Sequence, residues 1–232
     1  MNQKNLLLLT LALAPVAALA HTGGALRLGV SQMHVGMGAG ASANMPGLRL
    51  GVGGQYRGVG VRASLSYARG AGASLESLNV RAIASPRAAL SPYASLGMID
   101  LASLSGATST ATTYQVNSGG LITPTTTTTD LPVRGVVMGY GFVGLRARVA
   151  LNPRWQIAAH AGIGAGIGGS ATGLPAAAPG GSPFATSFGA GIRYRVTPHT
   201  VAALSYSRTA IPIRGAAFCS EGVSLTVART FQ

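Results

Sequence analysis

The chain has 232 residues, of which 47% are hydrophobic and only 9% charged, and its formal net charge is +13. A soluble domain of this size carries about 25% charged residues, so the deficit requires either a large dry core or contact with lipid. Beyond residue 20 no run of eighteen apolar residues escapes interruption by glycine or a polar group, which excludes helical spans and leaves strands with lipid on one face and small polar groups on the other.

The first element in chain order is expected to be a cleaved signal peptide over residues 1–20. Lys4 gives a positive start, Leu6 to Ala14 is too short to span a bilayer, and Ala18-Leu19-Ala20 supplies small residues at a cleavage site. His21 then becomes the mature N-terminus. The only cysteine is Cys219, so a lipid anchor at the cut is not expected.

Residues 21–232 read as about ten glycine-rich segments of alternating character, joined by connectors that are alternately short and long. The short ones are Arg57-Gly58, Ser85-Pro86-Arg87, Asn152-Pro153-Arg154 and Thr197-Pro198-His199; the long ones run through 36–46, 69–76, 102–132, 166–183 and 210–220. In the segment over 25–35, and again in 91–101, either parity is defensible, and a count of eight strands stays open. Leu48, Leu50, Val52 and Tyr56 alternate with Arg49, Gly51, Gly53 and Gln55. Over 59–68, Val59, Val61, Ala63, Leu65 and Tyr67 oppose Gly60, Arg62, Ser64, Ser66 and Ala68. Phe188, Ala190, Ile192, Tyr194 and Val196 oppose Ser187, Gly189, Gly191, Arg193 and Arg195, and the last segment sets Val223, Leu225, Val227 and Phe231 against Ser224, Thr226, Ala228 and Thr230. Ten residues at about 3.3 Å each, tilted near 45°, cover roughly 23 Å, close to the ~25 Å apolar band of a membrane barrel. The fold class expected is therefore all-β: a transmembrane antiparallel up-and-down barrel.

Aromatic rings prefer the headgroup level at both rims of such a barrel. With the N-terminus in the periplasm, Tyr56, Tyr93, Trp155, Tyr194 and Phe231 fall beside the short turns, and Tyr67, Phe188 and Tyr206 nearer the long connectors.

Leu151-Asn152-Pro153-Arg154-Trp155-Gln156-Ile157, Val196-Thr197-Pro198-His199-Thr200-Val201 and Gly189-Ala190-Gly191-Ile192-Arg193-Tyr194 resemble the strand–turn–strand periplasmic connections of OmpA-like and opacity-type small outer-membrane barrels. The resemblance is a pattern over the mature chain and is specific only within 139–232. It implies residence in the bacterial outer membrane and recognition of the last strand, through Phe231, by the outer-membrane assembly machinery. It implies no ligand. Those families usually have eight strands and end on their aromatic residue, whereas Gln232 follows Phe231 here.

Once Lys4 is removed, sixteen arginines face Glu76, Asp100, Asp130 and Glu221, about +12 in all. Arg27, Arg49, Arg62, Arg81, Arg146, Arg148, Arg193 and Arg195 take the inward parity. Guanidinium groups stay charged, and a dry interior without counter-charges would cost several kcal/mol per ion, so a wet lumen is expected. Only Asp100 is available as an interior carboxylate. Arg62, Arg81, Arg146, Arg148, Arg193 and Arg195 are accordingly candidates for contact with small anions. Arg69, Arg134, Arg208 and Arg214 fall at the loop side, where guanidinium forks suit the phosphates of lipopolysaccharide. With no basic helix and a membrane-embedded chain, nucleic acid is not an expected partner.

No catalytic constellation emerges. Omptin proteases need paired acids and an Asp–His couple at the loop rim, and Asp100, Asp130, His34 and His160 carry no local motif. Barrel deacylases use His, Ser and an acid, but His160 is followed by Ala161-Gly162. His34, His160 and His199 read as lumen or turn residues. Gly162 to Gly168 contains a G-x-G pattern without the strand–helix context of a phosphate loop. Neither metal nor cofactor is expected, and Cys219 reads as a free thiol in a loop. The threonine- and serine-rich stretch 102–132 is expected to be a mobile cap, since it buries little apolar area against its ordering entropy. The function expected is that of a monomeric, non-enzymatic surface protein, structural or adhesin-like. The alternative is a narrow anion-permeable channel, with an outer-membrane hydrolase behind both.

Overall fold

The computed structural model describes residues 24–37, 41–104, 108–116, 122–130, 133–172, 184–213 and 216–231. The expected signal peptide, His21, Arg214 and Gln232 lie outside them. The strands are β1 (Ala25–Met37), β2 (Ala41–Tyr56), β3 (Val59–Gly70), β4 (Ala73–Ala84), β5 (Leu90–Leu104), β6 (Thr108–Val116), β7 (Ile122–Asp130), β8 (Val133–Ala150), β9 (Trp155–Thr172), β10 (Ala185–Thr197), β11 (Thr200–Ile213) and β12 (Ala216–Thr230). Ten of them close into one antiparallel barrel in the order β1-β12-β11-β10-β9-β8-β5-β4-β3-β2, while β6 and β7 form a separate hairpin. The seam between the first and last strands runs from Ala25 opposite Thr230 to Met37 opposite Phe218, and the Phe231 N–H donates to the Gly24 carbonyl at 2.7 Å. Ten barrel strands, not eight, is thus the architecture.

The short turns follow from local chemistry. Arg57 and Gly58 both have positive φ, 47° and 80°, the pairing that matches strand twist in a two-residue hairpin. At the turn between β8 and β9 the Asn152 Oδ1 accepts from the Arg154 and Trp155 amides at 2.9 and 2.8 Å, an Asx cap that begins β9.

Three of the long connectors prove shorter than expected. Segment 69–76 is a two-residue turn at Ala71 and Gly72, with φ of 49° and 74°, and strands also occupy most of 36–46 and 210–220. Cys219 accordingly sits in β12, not a loop. On the fourth connector, 166–183, β9 continues to Thr172. The eighteen residues of β8 reach about 42 Å at ~3.3 Å each and 45° tilt, well beyond the ~25 Å apolar band.

The reason these stretches read as loops is an inversion of polarity partway up the wall. In the lower part of β1, Leu26, Leu28 and Val30 are exposed on the outer face while Arg27 and Ser31 turn inward; above them Met33, Val35 and Met37 turn inward while Gln32 and His34 are exposed. In β2, Leu48 and Leu50 face out below, whereas above Ser42, Asn44 and Pro46 face out and Ala41, Ala43 and Met45 are buried. In these two strands the lower half obeys the lipid rule and the upper half the water rule. At the loop end Val35, Met45, Leu101, Val136 and Phe218 are 0% exposed, and Leu75 and Ile211 join them in one cluster. The barrel interior there is a dry core.

The segment 102–132 departs from the expected mobile cap. β5 continues to Leu104, and β6 and β7 pair over nine positions, with Thr110 opposite Thr128, Thr112 opposite Thr126 and Thr113 opposite Thr125. Threonine is β-branched and pairs well across strands, so a threonine run pairs rather than loops.

The aromatic rims are partly as expected. Tyr56, Trp155, Tyr194 and Phe231 sit at the turn-side rim, with Trp155 against Tyr194 at 4.6 Å between ring centroids. Tyr67, Phe188 and Tyr206 form the upper set, with Phe188 and Tyr206 at 6.2 Å. Tyr93 is the exception: it points into the barrel and is buried.

Candidate functional site

The lumen between the turn-side rim and the dry core holds a cavity of about 340 Å³, lined among others by Arg27, Arg49, Arg62, Arg81, Arg146 and Arg193. Each comes from a different strand, β1, β2, β3, β4, β8 and β10, because the inward parity puts an arginine three to eight residues above the turn end in each. Arg62 and Arg81 lie directly opposite one another across β3 and β4, a like-charge pairing that destabilises an ordinary sheet. Arg146 is only 6% exposed.

Serines cover much of the wall above, including Ser64, Ser66, Ser205 and Ser207, and Met33, Leu75, Ile99 and Phe142 belong to the ceiling. The Arg49 Nε donates to the Ser66 hydroxyl at 3.1 Å, and an Arg193 N–H to the Gln156 Oε1 at 3.4 Å. The Arg81 guanidinium lies over the Tyr93 ring at 4.5 Å, and Tyr93 meets the edge of His160 at 6.0 Å between centroids. These rings fit because glycines stand beside them: a Cβ at Gly162 would overlap the Tyr93 hydroxyl, and one at Gly97 would overlap the Tyr140 ring. Glycine in a strand marks such close approaches. The Gly162–Gly168 run is correspondingly part of the β9 wall.

Among the described residues the charge within the lumen is uncompensated. Asp100 faces outward opposite Glu76, on the parity opposite to the buried Ser95, Ile99 and Leu101. Glu221 also faces out, accepting from the Tyr206 hydroxyl at 3.2 Å and lying 3.9 Å from the Arg208 Nε. No carboxylate among the described residues faces the cavity. Several polar atoms inside the barrel are buried without a hydrogen-bond partner: the Nε of Arg27 and Arg81, the hydroxyl of Tyr93, and Oγ of Ser31 and Ser95.

Of the arginines expected in the lumen, Arg62, Arg81, Arg146 and Arg193 converge with Arg27 and Arg49 on this cavity. Arg148 and Arg195 lie nearer the turn rim; an Arg148 N–H donates to the Arg87 carbonyl at 2.8 Å, and Arg195 is exposed. Of the loop-side arginines, Arg69 is exposed on the outer face and Arg208 forms the contact with Glu221. Arg134 lies in β8, with its side chain outside the described residues. His34 bonds Asn44 at 2.9 Å on the outer surface, far up the wall from the lumen position of His160. The described residues include no group of three or more His, Cys, Asp or Glu able to hold a metal.

Tyr93, Ser95 and Asn79 are site residues that reading the sequence missed. The signal was available in β5, where Leu96 and Met98 take one parity and Ser91, Ser95 and Gly97 the other.

No protein-family model matches the chain, and no curated protein matches it. Among solved structures, the outer membrane protease OmpT from Escherichia coli is similar over 90% of this chain and 96% of its own, at 9% identity and a TM-score of 0.52. The translocator domain of the autotransporter NalP from Neisseria meningitidis aligns over 99% of this chain and 98% of its own, at 13% identity and a TM-score of 0.47. Neisserial surface protein A aligns over 90% and 97%, at 12% identity and a TM-score of 0.43. The OmpT likeness is one of fold, that of an outer-membrane β-barrel.

Proposed function

We propose that this chain is a non-enzymatic surface protein of the bacterial outer membrane, a closed barrel that holds the threonine-rich β6–β7 hairpin outside the cell. The observation that carries the reading is the dry core at the loop end. Val35, Met45, Leu101, Val136 and Phe218 are withdrawn from solvent across the barrel interior, an arrangement that blocks passage and stiffens the projecting wall. A rigid scaffold with an exposed element at its tip suits recognition. The refolded mature protein should give no stepwise current in a planar bilayer. Cells producing it should adhere to a cultured epithelial monolayer, and deletion of 105–132 should abolish that adherence while leaving the heat-modifiable folded form. Stepwise currents in the wild type, or adherence that survives the deletion, would overturn the reading.

A narrow anion channel is the second reading, favoured by the six arginines of the cavity and the lack of a lumen carboxylate among the described residues. Its mark would be a chloride-selective reversal potential, reduced when Arg146 and Arg193 become glutamine.

The barrel is expected to act as a monomer without cofactor. Its partners are outer-membrane lipid, lipopolysaccharide at Arg69, Arg134, Arg208 and Arg214, and the assembly machinery at Phe231. That last role has a direct test, because Phe231 is half exposed at the rim beside the Arg229 guanidinium, 6.0 Å from its ring. Deleting residues 231–232 should leave unfolded protein in the periplasm, visible as loss of the heat-modifiable band. Normal insertion would remove Phe231 from the assembly signal.

A further inference from the structure

We infer that the arginine-lined cavity is a binding site for a small, freely diffusing multivalent oxyanion of the phosphate or diphosphate class. The inference is independent of the display role, since a barrel that adheres to nothing can still hold an anion.

Three observations converge on it. Arg27, Arg62, Arg81, Arg146 and Arg193 gather at one level from five strands, where the described residues supply no carboxylate. Holding them there without a counter-ion is unfavourable, because like charges repel strongly where water is scarce. Next, the Nε of Arg27 and of Arg81 are buried donors with no partner, as is the hydroxyl of Ser95, and all three residues line the cavity. Buried polar groups are nearly always satisfied, so an acceptor-rich ligand is the missing complement. Finally, the ligand volume is polar on its sides and cationic at its base, with serine hydroxyls above the guanidinium groups.

The chemistry favours an oxyanion over a halide. Guanidinium presents a planar fork of donors that matches paired oxygens, and charge-assisted bonds of this kind are the strong ones. A diphosphate offers enough oxygens for several forks at once and offsets more of the charge. A lipid phosphate is disfavoured by the wall: all ten neighbouring strand pairs of the barrel are hydrogen-bonded, and the ceiling is dry core, so an acyl chain has no lateral or upward exit.

The test uses mature protein refolded in uncharged detergent, titrated with inorganic pyrophosphate at constant ionic strength and followed by equilibrium dialysis. One pyrophosphate should bind per barrel. R62Q/R81Q/R146Q should weaken binding by about tenfold for each guanidinium removed, whereas R69Q/R208Q on the outer face should leave it unchanged. In the wild type, pyrophosphate should also protect Arg81 and Arg146, but not Arg69, from phenylglyoxal as read by mass spectrometry; this arm decides the matter even if the triple variant does not refold. Absence of saturable binding at millimolar pyrophosphate, equal losses in the inner and outer variants, or no selective protection would each overturn the site. Equal affinity for short-chain phosphatidic acid would overturn the free-anion assignment in favour of a lipid headgroup.

Discussion

Replacing Leu101 and Phe218 together by alanine is expected to lower the stability of the barrel by roughly 5–10 kcal/mol, the sum of the usual costs of emptying a buried leucine and a buried phenylalanine. Both side chains are 0% exposed, and they enter the loop-end core from β5 and β12. The core is closed off by strands, so the neighbouring wall can collapse only partly into the space. Urea unfolding in detergent, followed by the intrinsic fluorescence of Trp155, measures the change as a lower midpoint. The matched control is Leu48 with Leu50, which are exposed on the outer face at 61% and 49% and should cost far less in the same micelles. A double core variant as stable as the wild type would mean that the loop end is not a packed core.

The second large effect tests where lipid touches the wall. Leu204 and Leu225 lie directly opposite one another across β11 and β12, about 49% and 52% exposed and midway between the lower and upper aromatic rims. Arginine at that depth should cost about 2–4 kcal/mol, falling to about 0–1 kcal/mol near an interface. Leu225→Arg should therefore lower the folding equilibrium constant in phospholipid vesicles by tens to hundreds of times, read as a lower denaturant midpoint, whereas Gln32→Arg, on the exposed outer face above the inversion, should be nearly silent. Equal tolerance at the two positions would show that the lower half is not immersed in lipid.

The contrast between those two sites also explains what could be read from residues alone. Strands β3, β10 and the lower part of β12 announced themselves because lipid-facing valine, leucine and phenylalanine alternate with glycine, serine and arginine over a single polarity regime. The parity of Arg49, Arg62, Arg81, Arg146 and Arg193 followed, and with it the cationic lumen. β1 resisted because Leu28 and Val30 face lipid while Met33 and Val35 face the core, so apolar residues occupy both parities within one strand. The same inversion made 36–46 and 210–220 resemble connectors, since Asn44, Pro46 and Pro212 are outward residues of strands whose polarity has reversed. The apolar ceiling of the cavity was illegible for a related cause: it depends on which strands meet across the lumen, and alternation along one strand carries no such information. Asp100 illustrates the limit, as only its register opposite Glu76 places it outside.

The seam between β1 and β12 also governs how this wall comes into being. Its partners stand about two hundred residues apart in the chain, and closing so large a loop costs about 2.7 kcal/mol more in entropy than closing one of about ten residues. Every other barrel junction but that between β5 and β8 joins strands consecutive in sequence, so the meander can assemble in order while the far side of β1 waits with a row of unsatisfied amides and carbonyls. An open edge thirteen residues long is a template for pairing with foreign strands. For this molecule the period of greatest exposure to aggregation is therefore the interval before its last strand arrives, and that interval is set by the length of the chain itself.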